Sequence, residues 1–256
     1  MNKKIAIITD IHGNLEALTA ILENIKNNDF QEIICLGDTI NIGPNSKECI
    51  DLLIENNVKS VLGNHEIYLL RGTDFDHSID GEEKEHYKWV KESLTEKQIN
   101  YIKNSPLYYD INIEYENPQL NKKYVLCHYL IANEKEVYPF EKNHLKKDLG
   151  LWKKYNSNDV VYIIGHLHNS FNINEVEGII GDYIEETGEL TNIETVDSAG
   201  CSKDDNVSYK SLEIGRSIKI GKVNVKFDRK KFINKIMNTD FPDKKNILKY
   251  FYDIEL

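Results

Sequence analysis

The sequence of 256 residues predicts an α/β protein in which two sheets and flanking helices form one domain over residues 1–256. The first observation is that strands and helices alternate through the first third of the chain. The second is a mostly helical segment over about 67–104, and the third is a return to strand patterns from about residue 107. No repeat, low-complexity tract or linker divides the chain, which is long enough to bury a sizeable core.

The first third of the chain predicts a βαβαβ unit. Its three apolar, strand-like runs are Lys4–Thr9, Glu32–Leu36 and Lys59–Leu62. The first intervening helix is predicted over 14–27, where leucine and isoleucine recur at helical spacing. The second begins with Ser46 as its N-cap and runs to about Asn56. This order implies parallel strands with functional residues in the loops that follow their carboxyl ends.

The remainder of the chain predicts a helical segment, further strands and a helical tail. Within the segment over 67–104, which could form a rim or lid, Thr95 and Gln98 have the spacing of a capping box, and Pro106 helps to end the last helix. Later strands are predicted at Leu107–Tyr115, Lys123–Cys127, Val160–Ile164, Thr191–Asp197, Val207–Ile214 and Ser217–Phe227. Two short helices separated near Pro242 are predicted over 228–256.

Charge and composition exclude several classes of function. The formal net charge is -10, with 32 Lys and Arg against 42 Asp and Glu, and an acidic surface argues against tight sequence-independent binding of DNA or RNA. A small phosphorylated substrate is compatible with this negative net charge, because bound cations can make the local electrostatic potential at a site positive. No run approaches the roughly 18 apolar residues of a membrane span. Four scattered cysteines indicate a reducing, cytoplasmic compartment.

Metal-ligand side chains follow five of the predicted strands. They are Asp10, His12, Asp38, Asn64, His65, His128, His166 and His168. Residues i and i+2 of an extended segment project to one side, so Asp10 with His12, and His166 with His168, point at one region. A single Asp or His after a strand is usually a helix cap or a turn residue. Here five loops after strands carry a metal-ligand side chain, and in four of them a glycine is adjacent, which favours a metal site. Mixed carboxylate and imidazole ligands suit Mn, Fe or Zn rather than Ca.

The order Asp-x-His-Gly-Asn, Gly-Asp, Gly-Asn-His, His, Gly-His-x-His resembles the calcineurin-like metallophosphoesterase superfamily. Asn14-Leu-Glu-Ala-Leu, Leu36-Gly-Asp with Gly43-Pro44, and Gly165-His-Leu-His are similar to its small bacterial and archaeal phosphodiesterase branch. The resemblance covers nearly the whole chain. It implies a four-layer α/β/β/α sandwich of two mixed sheets flanked by helices, with a two-metal centre at one edge.

The resemblance also implies a role for each matching residue. The first of two divalent metal ions (Mn, Fe or Zn) would be bound by Asp10, His12 and His168, the second by Asn64, His128 and His166, with Asp38 bridging both. Such a centre holds the phosphate and activates a bridging water as the hydroxide nucleophile. His65 would be the catalytic acid or transition-state stabiliser, and Glu66 an outer carboxylate that orients His65.

Four positions depart from the relatives' patterns. Ile42 occupies the position of an arginine in the protein Ser/Thr phosphatases, which argues against protein phosphatase activity because a bidentate grip on phosphate is missing. Glu66 replaces the Asp of the small phosphodiesterase branch, and Tyr129 replaces a small residue. Tyr129 could narrow the pocket, stack on a ring or pack in the core. Asp197 replaces an Asn and would add negative charge if it faced the site.

The leading hypothesis is therefore a metal-dependent phosphodiesterase acting on a small or nucleotide-like phosphorylated substrate. The alternatives are a diadenosine-tetraphosphate-type nucleotide hydrolase or a broad phosphomonoesterase, because the metal core is shared and specificity depends on loops. A non-catalytic protein-binding scaffold is a third hypothesis. It is disfavoured because every ligand and His65 are present. The acidic stretch over 182–195 is expected to be a solvated hairpin.

Overall fold

The computed structural model describes residues 3–74, 79, 81–114, 121–128, 160–168 and 193–255. Nine strands and seven helices occur among these residues. The strands are β1 (Lys3–Ile8), β2 (Glu32–Cys35), β3 (Lys59–Ser60), β4 (Tyr108–Ile113), β5 (Lys122–Cys127), β6 (Val160–Ile164), β7 (Ile193–Thr195), β8 (Asn206–Ile214) and β9 (Ile218–Lys226). The helices are α1 (Leu15–Lys26), α2 (Ser46–Glu55), α3 (Asn64–Arg71), α4 (Gly81–Ser93), α5 (Glu96–Lys103), α6 (Arg229–Asn238) and α7 (Lys244–Tyr252).

The first sheet has five strands in the order β3-β2-β1-β8-β9. Strands β1, β2 and β3 are parallel, as the βαβαβ pattern predicts. The late strand β8 pairs antiparallel with β1, Ile5 lying opposite Leu212, and β9 follows β8 as an antiparallel hairpin. The amino-terminal unit and the carboxyl-terminal hairpin therefore share one sheet.

The second sheet has four strands in the order β4-β5-β6-β7. β4 is antiparallel to β5, whereas β5, β6 and β7 are parallel. Both sheets are thus mixed, which confirms the predicted α/β class with two mixed sheets. The parallel strands of each sheet bring their carboxyl ends, and the loops that follow them, to a common edge.

The side chains of β1 point alternately to the two faces of the first sheet, and their contacts show how the layers pack. Ile7 lies in an apolar cluster with Leu126 and Ile163 of the second sheet, so the two sheets face each other. The next residue, Ile8, projects to the opposite face and lies in a second cluster with Leu18 of α1. Burying each such side chain contributes about 2 kcal/mol. The described elements therefore stack as helices, first sheet and second sheet.

Local sequence signals explain several helix starts. Asn14 is the N-cap of α1 and its side chain accepts from the N–H of Ala17 at 3.0 Å. Thr95 and Gln98 form the predicted capping box of α5. The prediction that Ser46 caps α2 is wrong: the N-cap is Asn45, and Ser46 is the first helical residue. The Ser46 hydroxyl instead accepts from the N–H of Asn41 at 2.9 Å, because the preceding turn brings that donor closer.

The two predicted helices of the tail are present and close the core over α1. Phe232 of α6 and Tyr252 of α7 are fully buried in the cluster that contains Leu18. Arg229 Nη2 donates to the carbonyl oxygen of Tyr252 at 2.9 Å and joins the two helices. The tail thereby places the aromatic end of α7 beside the edge where the candidate ligands lie.

Some predictions fall on residues that the structure does not describe. They concern Tyr129, most of the acidic stretch over 182–195, and a fourth, helical layer over the second sheet. In the described part of the acidic stretch, Glu194 pairs with Lys210 at 2.7 Å. Among the described helices, none has both the length and the apolar character to cross a bilayer.

Candidate metal centre

Backbone hydrogen bonds bring three strand ends together. The N–H of Asp10 donates to the carbonyl oxygen of Gly37 at 3.0 Å, and that of His12 to the carbonyl oxygen of Asp38 at 2.9 Å. The N–H of His166, in the loop after β6, donates to Asp10 Oδ2 at 3.0 Å. Loops from both sheets are therefore tied to the end of β1.

Five candidate ligands have left-handed backbone conformations. The φ angles are 51° for Asp10, 48° for His12, 51° for Asp38, 66° for His166 and 59° for His168. Such angles cost roughly 1–2 kcal/mol in a residue other than glycine. Strain of this kind persists where the surrounding structure holds it, and it is concentrated at functional sites. Here it turns each side chain back toward the shared edge.

The first group of candidate ligands is formed by Asp10, His12 and His168. His168 Nε2 lies 3.3 Å from Asp10 Oδ1 and 3.1 Å from His12 Nε2. His12 Nε2 lies 3.7 Å from the same Asp10 oxygen. On the far side of its ring, His12 Nδ1 lies 3.4 Å from the carbonyl oxygen of Ile40, which favours a proton on Nδ1 and a lone pair on Nε2.

The second group contains Asp38, Asn64, His128 and His166. His128 Nε2 lies 3.1 Å from Asp38 Oδ2, 3.0 Å from Asn64 Oδ1 and 3.2 Å from His166 Nδ1. Its Nδ1 is 2.8 Å from the carbonyl oxygen of Leu36, which can only accept, so neutral His128 carries its proton there. Asp38 Oδ2 also lies 3.9 Å from His12 Nε2 and so faces both groups.

This arrangement of acceptors fits cations. In neutral His128, the Nε2 lone pair faces the Asp38 carboxylate and the Asn64 carbonyl oxygen, all of which need a positive partner. Asp10 Oδ1 is buried and accepts no hydrogen bond from the described residues. Burial raises the pKa of Asp10, but its contacts with His12 and His168 outweigh burial and hold that pKa below its usual range. The residues present therefore suit two adjacent metal ions.

His65 lies at the margin of both groups. The ring nitrogen Nε2 of His65 is 3.8 Å from Asp38 Oδ2, and the backbone N–H of His65 donates to Asp38 Oδ1 at 3.0 Å. Its Nδ1 contacts Asn41 Nδ2 at 3.0 Å and the Tyr87 hydroxyl at 2.9 Å. Neither partner was predicted from the sequence. Asn41 could have been found, because it directly precedes Ile42, the position at which the protein Ser/Thr phosphatases carry an arginine, whereas nothing singles out Tyr87 within the charged α4.

Glu66 has a different place from the one expected. Its Oε2 accepts from the N–H groups of Asp38 at 2.8 Å and Gly63 at 2.9 Å, and its Oε1 accepts from that of Thr39 at 2.8 Å. The expectation that it orients His65 is corrected, because its carboxylate points at the backbone of these two loops. It holds the Asp38 loop against the start of α3 instead.

The loop after β7 also reaches the centre. Gly200 donates its N–H to the carbonyl oxygen of Asp10 at 2.9 Å, and Cys201 follows beside His168. Asp197 pairs with Lys222 at 2.6 Å and accepts from the Ser208 hydroxyl, so much of its charge is balanced. Cys201 was not among the predicted ligands.

Comparisons with known proteins show which family the chain resembles. A sequence model of the family described as calcineurin-like phosphoesterase matches residues 3–201. An uncharacterized protein of Methanocaldococcus jannaschii is 30% identical over an alignment 257 positions long, which covers 93% of this chain and 94% of that protein. A symmetrical bis(5'-nucleosyl)-tetraphosphatase of Neisseria gonorrhoeae is 46% identical over 66 residues, 25% of this chain and 24% of that protein.

The fold has solved counterparts. The crystal structure of a metallophosphoesterase from Sphaerobacter thermophilus matches with a TM-score of 0.66 at 17% identity, covering 97% of this chain and 98% of that chain. The family match spans β1 to the loop after β7 and so includes all seven candidate ligands. The chain belongs to the calcineurin-like phosphoesterase family and is a metal-dependent phosphoesterase.

Proposed function

We propose that the chain hydrolyses phosphodiester bonds in a small or nucleotide-like substrate at a two-metal centre. Asp10, His12 and His168 bind the first ion, Asn64, His128 and His166 bind the second, and Asp38 binds both. The convergence of acceptor atoms on Asp38 Oδ2, 3.1 Å from His128 Nε2 and 3.9 Å from His12 Nε2, carries this proposal.

The metal ions and the side chains contribute differently to ester hydrolysis. Two bound ions supply charge neutralisation and an activated water for in-line displacement. His65 contributes a hydrogen bond to the departing oxygen from Nε2. Asn41 supports this role, because its Nδ2 can only donate to Nδ1 and thereby leaves the proton of a neutral imidazole on Nε2.

Among the residues that the structure describes, two groups line cavities beside the centre, and these cavities favour a diester over a monoester. One, of about 410 Å³, is lined by residues that include His65 and Tyr87. The other, of about 480 Å³, is lined by residues that include His168. Tyr250 and Phe251 of α7 border both cavities. A phosphodiester has two organic substituents, and it can place one of them on each side of Tyr250 and Phe251. Helix α4 then forms the rim of the cavity that contains His65 and Tyr87.

A nucleotide hydrolase is the second candidate. The 66-residue match to a symmetrical bis(5'-nucleosyl)-tetraphosphatase favours it, although that match covers only 25% of this chain. A dinucleoside polyphosphate has two bulky ends and would also suit two cavities. The two candidates differ in whether a polyphosphate bridge is needed for efficient turnover.

The test compares ester hydrolysis by metal-stripped protein before and after Mn²⁺ is restored. We expect bis-p-nitrophenyl phosphate to be cleaved faster than p-nitrophenyl phosphate, and both only when metal is present. The Asp38→Asn variant should lose both activity and stoichiometric metal binding. Asp29→Asn is the matched control, because exposed Asp29 has a φ of 54°, close to the 51° of Asp38. Faster monoester cleavage would contradict the diester preference, and preferred cleavage of diadenosine tetraphosphate would favour the second candidate. If the protein neither bound metal nor cleaved any ester, the scaffold hypothesis would replace both.

A further inference from the structure

Cys201 lies within reach of the first metal position. Its Sγ, a ring nitrogen of His12 and a ring nitrogen of His168 all lie within 4.8 Å of one another. The side chain is only partly buried, whereas the other three cysteines of the chain are buried. Atoms bound to one metal ion at about 2.0–2.3 Å are separated by distances of this order or less.

A second observation points to a ligand at the same place. Asp10 is fully buried, and its Oδ1 accepts no hydrogen bond from any described residue. That oxygen faces His168 Nε2 at 3.3 Å and His12 Nε2 at 3.7 Å. A buried, unpartnered carboxylate oxygen is costly unless a cation accompanies it. The sulfur therefore lies beside the same two imidazoles, those of His12 and His168, that face this buried oxygen.

The backbone around Cys201 is held to that of Asp10. The Ser198 hydroxyl donates to the carbonyl oxygen of Asp10 at 2.8 Å and accepts from the N–H of Cys201 at 2.8 Å. Gly200 donates to the same carbonyl oxygen at 2.9 Å, and a Cβ at Gly200 would collide with the carbonyl of Ile11. The loop is thus fixed by direct contacts with the segment that carries Asp10.

We propose that Cys201 supplies a sulfur ligand to the first metal ion, beside Asp10, His12 and His168. The inference rests on the proposed two-metal centre and adds a donor that was not among the ligands predicted from the sequence. On binding, the thiol loses its proton to solvent and the sulfur lone pair forms the bond to the metal. Thiolate is a soft ligand, so this position should select Zn²⁺, Fe²⁺ or Co²⁺ over Mn²⁺ and Mg²⁺.

The test uses absorption spectra of metal-stripped, full-length protein titrated with Co²⁺. A cobalt–thiolate bond gives a near-ultraviolet charge-transfer band, and nitrogen and oxygen ligands alone do not. We expect this band in the native protein and in Cys49→Ala, and its loss in Cys201→Ala. Cys49 is a suitable control because it is buried in α2 and packs in the apolar core.

Metal affinity provides a second readout. We expect Cys201→Ala to weaken Zn²⁺ binding by about tenfold or more, since removal of even an outer partner of a metal site has effects of that size. Mn²⁺ binding should change much less. Cobalt binding with visible ligand-field bands but without the charge-transfer band would overturn the sulfur ligand and leave the metal centre intact. If the native protein bound no cobalt, the proposed centre itself would fail.

Discussion

The hydroxyl of Tyr87 lies 2.9 Å from Nδ1 of His65, and the two rings stack with their centroids 5.4 Å apart. Asn41 Nδ2 reaches the same nitrogen at 3.0 Å. Because Glu66 is occupied by backbone donors, a tyrosine of α4 stands where the sequence predicted a carboxylate. His65 is therefore positioned by two neutral groups, one of them from the proposed rim.

Loss of the Tyr87 hydroxyl should impair the chemical step. We expect Tyr87→Phe to keep the ring stack but to lower kcat about fivefold to tenfold with little change in KM, the effect of losing roughly 1 kcal/mol of one hydrogen bond. The loss should be larger for a phenyl ester than for a p-nitrophenyl ester, because the poorer leaving group depends more on His65. Tyr209→Phe, which removes a hydroxyl that bonds Asn24, is the control. Equal losses for both esters would contradict the positioning role.

Glu66 should matter for stability and for metal affinity. In Glu66→Gln, an amide NH₂ replaces one of the oxygens that accept from Asp38, Thr39 and Gly63. We expect the free energy of unfolding to fall by about 2–3 kcal/mol, since buried donors lose their partner. Urea denaturation measures this change, and metal titration should show weaker binding at the second position. The exposed Glu48→Gln change on α2 should leave both unchanged.

Gly165 allows β6 to pass close to Asp10. A Cβ at this position would lie 2.8 Å from Asp10 Oδ2 and would also overlap the Thr9 hydroxyl. We expect Gly165→Ala to destabilise the fold by roughly 1–3 kcal/mol and to weaken metal binding at the first position by displacing Asp10. In the control Gly221→Ala, the nearest atom is Ser211 Oγ at 3.0 Å, a side chain that can rotate away. Normal metal binding by the Gly165 variant would contradict this prediction.

His86 should make the protein sensitive to mild acid. It is buried beside Trp89 and Phe241, and burial lowers its pKa to about 4. In the unfolded chain its pKa is about 6.5. The unfolded state therefore binds more protons between these values, so stability present above about pH 6.5 is lost as the pH falls toward 4.

The size of this effect can be measured by urea unfolding. Between about pH 7.5 and pH 5, neutral His86 should account for a loss on the order of 2 kcal/mol. His86→Phe keeps an aromatic ring between Trp89 and Phe241, so its free energy of unfolding should fall less over that range. Identical pH dependence of the two proteins would contradict this prediction, because it would mean that the pKa of His86 is the same in the folded and unfolded states.

Local patterns were enough to predict most elements. Val160–Ile164 and the α5 capping box of Thr95 and Gln98 are as predicted, because apolar runs and caps depend on nearby residues. The insertion of β8 beside β1 was not predicted. Strand partnership depends on the apolar faces that meet after the chain has folded, and a strand pattern does not specify its neighbour.

The candidate ligands could be named in advance because each follows a strand. The side chains that contact these ligands from other segments could not be named in advance. Tyr87 reaches His65 from a helix 22 residues further along, and Cys201 reaches His168 through a loop that hydrogen-bonds to Asp10. Both contacts come from packing between segments distant in sequence. Glu66 was expected near His65 from its position alone, but three backbone N–H groups compete for its carboxylate.

The left-handed conformations of Asp10, His12, Asp38, His166 and His168 have an evolutionary consequence. Glycine or asparagine adopts such φ angles at lower cost, so replacing these residues should make the folded chain more stable while it abolishes metal binding. A descendant released from selection for catalysis would gain stability as it lost its ligands. This chain carries all five of these residues, which fits a site whose metal binding outweighs the stability that their replacement would add.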